Sequence, residues 1–243
     1  MIGPLISRPE DVAVALEADP VRFAAEADHV LEGADPLTIL GWAGRAFGKG
    51  LAVTAAMGDT VLAHLAARAV PGVNVLFVDT GYHFVETIGT ADALAATYPV
   101  RMLTIRPKET REEHEAARGE LWRTNPDACC ALRKIAPLDN ALRGYRAWAT
   151  GLRRDESESR ADTPTVRWDE KRGLLKLAPI AAWTEEDVEA YLAAHPDVLT
   201  NPLQQLGYRS IGCAPCTRAV RPGEDARAGR WAGRAKTECG LHL

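Results

Sequence analysis

The stretch Leu51–Ile105, LAVTAAMGDTVLAHLAARAVPGVNVLFVDTGYHFVETIGTADALAATYPVRMLTI, alternates short apolar runs with helical segments. The three apolar runs, which have the length and composition of buried strands, are Leu51–Thr54, Val73–Val78 and Val100–Ile105. The intervening Thr60–Ala69 and Phe84–Tyr98 are predicted to be helices. Strand, helix, strand, helix, strand at this spacing predicts parallel pairing through right-handed crossovers.

The flanking segments extend this pattern. Upstream, helices are predicted over Pro9–Ala18 and Val21–Leu31, and a third begins at the Asp35-Pro36 cap. The elements predicted downstream are helices at Glu109–Arg118, Ala128–Leu142 and Thr184–Ala194, a strand at Tyr145–Thr150 and a hairpin of Thr165–Asp169 with Leu174–Ala178. The sequence therefore predicts an α/β fold with a Rossmann-like, mostly parallel sheet. We expect residues 1–48 to form a helical segment, 49–222 the α/β domain and 223–243 a mobile catalytic tail.

Composition and charge argue against several classes of function. The chain has 243 residues, 47% of them hydrophobic and 26% charged, with a net charge of −4. An acidic balance argues against bulk binding to nucleic acid or to a membrane surface. The first ten residues lack the pattern of a signal peptide, and no run approaches the ~20 apolar residues of a membrane span. We expect a cytoplasmic protein whose thiols stay reduced.

Two turns that follow predicted strands are candidates for a ligand site. Ala55–Asp59 is a run of small residues that ends in Asp59, and Asp79–His83 is a polar cluster. Ligands of such sheets bind beyond the carboxyl ends of the strands. Small residues there let the backbone approach a phosphate, although the same pattern is common in ordinary strand–helix turns.

Five cysteines carry the remaining chemistry, and four of them form two close pairs. Cys129 is adjacent to Cys130, and Cys213 is two residues from Cys216 across a proline. Four thiolates suit zinc or a [4Fe–4S] cluster, whereas Cys-x-x-Cys alone also occurs as a redox pair. Two adjacent ligands strain a compact tetrahedral zinc site more than a larger cluster.

The fifth cysteine, Cys239, has no cysteine partner left and lies four residues from the chain end. Nearby cations lower the pKa of a thiol and make it a nucleophile. Lys236 and His242 flank Cys239, and Arg227 and Arg230 precede it. The alternative interpretation is an exposed thiol in a frayed tail.

Five motifs together resemble the assimilatory phosphosulfate reductase family, within its iron–sulfur adenylyl-sulfate (APS) reductases. They are Asp79-Thr80-Gly81-Tyr82-His83-Phe84, Cys129-Cys130-Ala131-Leu132-Arg133-Lys134, Thr150-Gly151-Leu152-Arg153-Arg154, Gly212-Cys213-Ala214-Pro215-Cys216 and Glu238-Cys239-Gly240-Leu241-His242. The resemblance covers the chain from Leu51 onward. It implies the adenine-nucleotide alpha-hydrolase (PP-loop) type of sheet, with a C-terminal tail that closes over the site.

The resemblance also implies roles for individual residues. One [4Fe–4S] cluster would be held by Cys129, Cys130, Cys213 and Cys216. Cys239 would attack the sulfur of APS, release AMP and become S-sulfocysteine, and thioredoxin or a similar dithiol protein would release sulfite, as a step of sulfate assimilation and cysteine biosynthesis. The expected substrate-binding residues are Asp59, Asp79, Thr80, Gly81, Lys134, Arg153, Arg154, Arg227, Arg230 and His242. Association of the chain into a homo-oligomer is an open alternative at this point.

One position departs from the family pattern, and three rival functions remain. The family usually has serine where this chain has Ala55, so that Thr54 or backbone N–H groups would have to replace a hydroxyl contact. The rivals are a reductase of the 3′-phosphorylated substrate, an ATP pyrophosphatase or tRNA-thiolating enzyme of the same fold, and a zinc-stabilised nucleotide-binding module. The second would need a Ser-Gly-Gly-x-Asp-Ser loop, which Ala55–Thr60 lacks.

Overall fold

The computed structural model describes residues 8–234, 236 and 238–241. Its helices are α1 (Pro9–Ala18), α2 (Pro20–Leu31), α3 (Pro36–Phe47), α4 (Val61–Ala69), α5 (Val85–Thr97), α6 (Arg111–Arg118), α7 (Leu121–Thr124), α8 (Pro126–Cys130), α9 (Ala136–Leu142) and α10 (Glu185–Ala194). Its strands are β1 (Leu51–Thr54), β2 (Asn74–Val78), β3 (Arg101–Ile105), β4 (Ala147–Ala149), β5 (Val166–Asp169) and β6 (Leu174–Leu177). Most predicted elements are thus present within one or two residues of their expected bounds.

The strands form one six-stranded sheet in the order β3-β2-β1-β4-β6-β5. All neighbouring pairs are parallel except β5 with β6, which form an antiparallel hairpin. The prediction of an α/β fold with a mostly parallel sheet is confirmed. After β3 the chain crosses back to place β4 on the other side of β1. A crevice therefore forms at the carboxyl ends of β1 and its two neighbours, where the strand order changes direction.

Hydrophobic residues cover both faces of this sheet. On one face the side chains of α1 to α4 pack with those of β1 and β2 in a continuous core that includes Trp42, Phe77 and Leu94. On the other face Trp148 of β4 packs with Leu138 of α9, and Leu241 lies against this second cluster. The division of the chain at residues 48 and 222 stays a prediction.

The predicted helix over Ala128–Leu142 is interrupted. α8 and α9 are joined by a single wide π-helical segment, Ala131–Ile135. Pro137 has no backbone N–H to donate to the carbonyl of Arg133, so a regular α-turn would lose a hydrogen bond there. Such wide turns are frequent at functional sites. This one carries Arg133 and Lys134 just after the cysteine pair.

No helix in the described part of the chain is both long enough and apolar enough to cross a membrane.

Candidate functional site

A cavity of about 880 Å³ opens at the carboxyl ends of three parallel strands. Thr54 at the end of β1, Val78 at the end of β2 and Thr150 just after β4 all line it. Cys239 lines the same cavity from the C-terminal segment, defined here as the described residues 231–234, 236 and 238–241. Sites for small molecules have volumes of roughly 300–1,000 Å³, so this cavity is large enough for a nucleotide.

The turn after β1 has a strained backbone that a distant asparagine fixes. Met57 has a φ of 61°, a left-handed conformation that is uncommon for a residue other than glycine. Asn201, which is fully buried, donates from its side-chain amide to the carbonyl of Met57 at 3.0 Å. Its backbone N–H donates to the carbonyl of Gly58 at 2.8 Å. Sequence reasoning missed Asn201, because a single asparagine in a loop gives no signal of a partner that is far away in the chain.

Asp59 and Ala55 also line this part of the cavity. The carboxylate of Asp59 accepts a hydrogen bond from the backbone N–H of Val61 at 3.1 Å, and burial raises its pKa. The hydroxyl of Thr54, which was considered as a replacement for the missing serine, donates to the carbonyl of Ala149 at 3.2 Å. That hydroxyl therefore already has an acceptor within the protein.

The thiol of Cys239 lies within electrostatic range of Lys134 and Arg230. Burial alone would raise the pKa of Cys239, but these two cations and the backbone N–H of Leu241 lower it below its ordinary value. Burial in turn lowers the pKa of Lys134, and the negative charge of Cys239 and Cys213 more than reverses that effect. The arrangement favours a thiolate at Cys239 beside a charged Lys134, which is the state required of a nucleophile.

The other cations of the cavity are held by carboxylates. Arg153 contacts Asp155 at 2.9 Å and Glu185 at 2.6 Å. In contrast, neither Lys134 nor Arg230 forms an ion pair with any carboxylate that the structure describes. The guanidinium of Arg230 instead lies 4.5 Å above the ring of Trp231. These two cations remain available for an anionic ligand next to the thiol.

The C-terminal segment is held in place by the carboxylate of Glu238. Arg160 donates to its two oxygens at 2.9 Å each, and Arg227 approaches one of them at 3.2 Å. Arg160 also contacts Glu156, whose carboxylate caps the backbone N–H of Arg153. Neither Arg160 nor Glu238 was among the predicted site residues, although Glu238 belongs to the motif that contains Cys239.

The four remaining cysteines line one small cavity, together with Trp122, Lys134 and Trp231. All five cysteines are free thiols. Burial and the charge of neighbouring thiols raise the pKa of Cys129 to about 12. Burial is also the main reason that the pKa of Cys130 rises to about 11. In the described residues, no three His, Cys, Asp or Glu side chains converge closely enough to hold a single metal ion.

Contacts from two other segments hold the Cys213–Cys216 loop. The hydroxyl of Thr80 lies 3.2 Å from the sulfur of Cys213, and the backbone N–H of Ala214 donates to the carbonyl of Tyr82 at 2.7 Å. On the other side, the backbone N–H of Trp231 donates to the carbonyl of Cys216 at 3.0 Å. The C-terminal segment is thus attached directly to the cysteine loop.

The Asp79–His83 turn packs between the two cavities. Gly81 has a φ of 78°, and a Cβ there would lie 2.9 Å from the guanidinium of Arg133. That guanidinium is buried and donates to the carbonyls of Thr80, Glu109 and Thr110. His83 lines the large cavity, and its pKa falls to about 4 because of burial and the charge of Lys134. It is therefore neutral at pH 7.

The predicted substrate-binding residues separate into groups. The large cavity is lined by Asp59, Lys134, Arg153, Arg227 and Arg230. Thr80 lies at the cysteine cavity, and Asp79 bonds Arg106 and the backbone of Gly81. Arg154 forms a two-pronged contact with Glu32 of the loop after α2 and is not among the residues that line the large cavity. His242 lies outside the described residues.

The chain is similar to known proteins over most of its length. The family model of the phosphoadenosine phosphosulfate reductase domain matches residues 51–219. The chain is 60% identical to an adenosine 5′-phosphosulfate reductase of Streptomyces coelicolor, over 90% of this chain and 93% of that protein. It is 49% identical to the protein of the same name from Rhodococcus opacus, over 96% and 98%. The crystal structure of the phosphoadenylyl-sulfate reductase of Candida auris, a phosphate complex, superposes with a TM-score of 0.69 at 29% identity, over 82% of this chain and 97% of that one.

The domain match covers the sheet, both cysteine pairs and the turns that line the cavity, and the relatives span nearly the whole chain. The chain therefore belongs to the phosphoadenosine phosphosulfate reductase family, among the adenosine 5′-phosphosulfate reductases.

Proposed function

We propose that this protein is an enzyme that reduces APS to sulfite and AMP in assimilatory sulfate reduction, with electrons from a dithiol protein of the thioredoxin type. The observation that carries the proposal is the position of Cys239 at the wall of a nucleotide-sized cavity, beside Lys134 and Arg230. The thiolate lies in electropositive surroundings, next to two cations that have no carboxylate partner in the described structure. Such surroundings suit an anionic electrophile.

In the first step the Cys239 thiolate attacks the sulfur of the sulfate group. The new bond joins the cysteine sulfur to that sulfur, and the bond between it and the bridging phosphate oxygen breaks. AMP leaves with the electron pair, and Cys239 becomes an S-sulfocysteine. Lys134 and Arg230 offset the negative charge that accumulates where the thiolate meets the phosphosulfate.

In the second step a thiolate of the dithiol partner attacks the sulfur of Cys239. Sulfite leaves with the electron pair of the sulfur–sulfur bond, and a mixed disulfide forms between enzyme and partner. The second thiol of the partner resolves that disulfide and restores Cys239, so the dithiol supplies both electrons. The C-terminal segment must leave the cavity for this step, which requires the contacts of Glu238 with Arg160 and Arg227 to open. A reduced cytoplasm would keep both thiol partners active.

Cys129, Cys130, Cys213 and Cys216 would hold one [4Fe–4S] cluster, and the donor set fits that group. The four sulfurs line one cavity without converging on a single ion. Burial, with the charge of neighbouring thiols, raises the pKa values of Cys129 and Cys130, which fits thiols that ionise only when a cationic group binds them. When bound, the core of the cluster would offset part of the negative charge of the four thiolates and would fix their positions beside Lys134. The electrons of the reaction come from the dithiol.

APS is favoured over its 3′-phosphorylated form by the relatives. The proteins that are 60% and 49% identical to this chain carry the name adenosine 5′-phosphosulfate reductase, whereas the phosphoadenylyl-sulfate reductase of Candida auris is 29% identical. The paired cysteines are those expected of the cluster-containing APS enzymes.

The decisive experiment is the intact mass of anaerobically purified protein after incubation with APS and no reductant. We expect an adduct of the mass of SO₃ that maps to Cys239, the release of one AMP per adduct, and no adduct in Cys239→Ser. Addition of reduced thioredoxin should remove the adduct as sulfite. If AMP forms without an adduct, or the adduct maps to another cysteine, the proposed mechanism is wrong.

A further inference from the structure

One wall of the large cavity is held from outside by a second segment of the chain. The turn after β1 forms part of that wall through Asp59 and Thr60. Antiparallel to the turn lies the clamp segment, defined here as residues 197–201, in which Thr200 pairs with Asp59. The backbone N–H of Thr60 donates to the carbonyl of Leu199 at 3.1 Å. No residue of the clamp segment lines the cavity itself.

Tyr98, the residue after α5, lies at the centre of the contacts between the turn and the clamp segment. It is 7% exposed, and it is not among the residues that line the large cavity. Its hydroxyl lies 2.8 Å from that of Thr60 and accepts from the backbone N–H of Leu199 at 2.8 Å. The hydroxyl of Thr60 in turn donates to the carbonyl of Leu199 at 2.8 Å.

The direction of each hydrogen bond follows from the hydrogens available. A carbonyl only accepts, so the single hydroxyl hydrogen of Thr60 is used on Leu199. Tyr98 therefore donates to Thr60, since the other acceptor near its hydroxyl, the carbonyl of Asp197, is farther away at 3.3 Å. The bonds form a closed hydrogen-bond ring, from the N–H of Leu199 through Tyr98 and Thr60 to the C=O of Leu199. Buried bonds in such a series polarise and strengthen one another.

The turn needs this support because its backbone is strained. Met57 has a left-handed conformation, which persists only where the surroundings fix it. The start of the clamp segment is also anchored. His64 of α4 contacts the carboxylate of Asp197 at 3.1 Å and the hydroxyl of Tyr191 of α10 at 2.8 Å. The clamp segment thus joins the turn to two helices.

We infer that Tyr98 is a positioning residue for nucleotide binding, which fixes the turn after β1 from outside the cavity through the hydrogen-bond ring. The inference rests on the proposed function, because it takes the large cavity as the nucleotide site. Without the hydroxyl of Tyr98, Thr60 loses a donor and Leu199 loses an acceptor, and the turn relaxes from the shape that the ligand requires. The thiol and the cations placed at the sulfate group are carried by other segments. The loss should therefore weaken the binding of substrate and of transition state alike.

The test is Tyr98→Phe in the purified full-length protein, since this change keeps the aromatic side chain and removes only the hydroxyl. Equilibrium dialysis with radiolabelled AMP should give a dissociation constant about tenfold higher than that of the wild type, as expected for the loss of one buried hydrogen bond. In steady-state kinetics with thioredoxin, KM for APS should rise by a similar factor, and kcat should stay within about twofold. A fall in kcat at unchanged KM would contradict a positioning role in nucleotide binding.

Hydrogen exchange measures the same effect without a ligand. The backbone N–H groups of Thr60 and Asn201 bond across the turn and the clamp segment, and they should exchange about tenfold faster in Tyr98→Phe. The inference is overturned if these amides exchange at the wild-type rate, or if the variant binds AMP as tightly as the wild type does. A wild type that does not bind AMP contradicts the proposed function instead, and the exchange rates then decide whether Tyr98 fixes the turn.

Tyr145→Phe is the matched control. It also removes a partly buried tyrosine hydroxyl, but this one bonds the side chain of Asn74, the first residue of β2, at the edge of the sheet opposite the cavity. AMP affinity and exchange at the turn should stay unchanged, and a loss equal to that of Tyr98→Phe would overturn the inference.

Thr60→Val breaks the same hydrogen-bond ring from its other side, and it serves as the second variant if Tyr98→Phe does not fold. It should weaken AMP binding as Tyr98→Phe does. The two changes together should weaken it little more than either alone, because one break already opens the ring. Additive losses would show that the two hydroxyls act separately and would overturn the inference.

Discussion

The guanidinium of Arg160 donates hydrogen bonds of 2.9 Å to both carboxylate oxygens of Glu238, the residue before Cys239. The pair joins residues that are 78 positions apart in the chain. Both side chains are largely buried, so water screens the interaction less than it would screen a surface ion pair. This contact positions the nucleophile, and the opening of the C-terminal segment must break it.

Glu238→Gln should therefore lower turnover of APS by about tenfold or more, because a neutral amide retains shape but loses charge-assisted hydrogen bonds. Steady-state kinetics with thioredoxin would measure the effect. Glu224→Gln is the control, since Glu224 contacts Arg218 in another part of the surface. Equal turnover in wild type and Glu238→Gln would contradict a positioning role for Glu238.

Lys134→Met should raise the pKa of Cys239. Lys134 stabilises the thiolate, and only the thiolate reacts with iodoacetamide, so the alkylation rate rises with pH through the pKa. The wild-type midpoint should lie below the ordinary value of 9.0, and the variant midpoint should be higher than that of the wild type. Below both midpoints, the variant should thus react more slowly at the same pH.

Arg209→Met is the control for that pH profile. Arg209 lines the same cavity, but it is half exposed and contacts Glu185 at 3.4 Å. Its removal should leave the midpoint of Cys239 nearly unchanged. A shift as large as that of Lys134→Met would show that the whole cavity, and not Lys134, controls the thiol.

Arg133→Met should destabilise the fold by about 3 kcal/mol, because three backbone carbonyls lose a charged donor. These are the carbonyls of Thr80, Glu109 and Thr110, which lie 2.7–3.2 Å from the guanidinium nitrogens. Urea denaturation would measure the loss. The guanidinium groups of Arg133 and Arg111 both lie over the ring of Tyr82, but that of Arg111 is exposed. The control Arg111→Met should therefore cost far less. Similar losses in both variants would contradict the importance of the buried donors.

Gly212→Ala should lower kcat/KM about tenfold while the melting temperature changes little. A Cβ at Gly212 would overlap the guanidinium of Arg230, which is the far end of a flexible side chain and can move aside. The loss corresponds to one misplaced charged donor. Gly89→Ala in α5 is the control, since its Cβ would meet nothing within 4 Å. If Gly212→Ala retains full kcat/KM for APS, Arg230 is not required near its present position.

The features that could be predicted from the sequence are those that depend on local patterns of residues. The alternating strands and helices of Leu51–Ile105 predicted the parallel sheet, and the predicted Asp35 cap was confirmed in detail. Asp35 accepts from the backbone N–H of Leu37 at 2.8 Å, and Thr184 forms a capping box with Asp187. Such signals are local because caps and periodicity involve residues within a few positions of each other.

Contacts between distant residues were not predictable in the same way. Arg154 was expected at the substrate, but its partner is Glu32, 122 positions earlier. Asn201, which fixes the Met57 turn, has no neighbour in sequence that reveals its role. The five cysteines could be chosen as candidates because their spacing is itself a chemical pattern. Which cations remain unpaired beside Cys239 follows only from the packing of loops around the sheet.

The hydrogen bond from the backbone of Trp231 to the carbonyl of Cys216 has a thermodynamic consequence. It joins the residue that begins the C-terminal segment to the backbone of Cys216, whose thiol is proposed to hold the cluster. Any free energy by which an occupied cysteine site favours the docked segment must be returned in equal amount, as a preference of the docked segment for the occupied site. If the cluster binds as proposed, it and the docked nucleophile would stabilise each other, and the loss of either would weaken the other before any substrate binds.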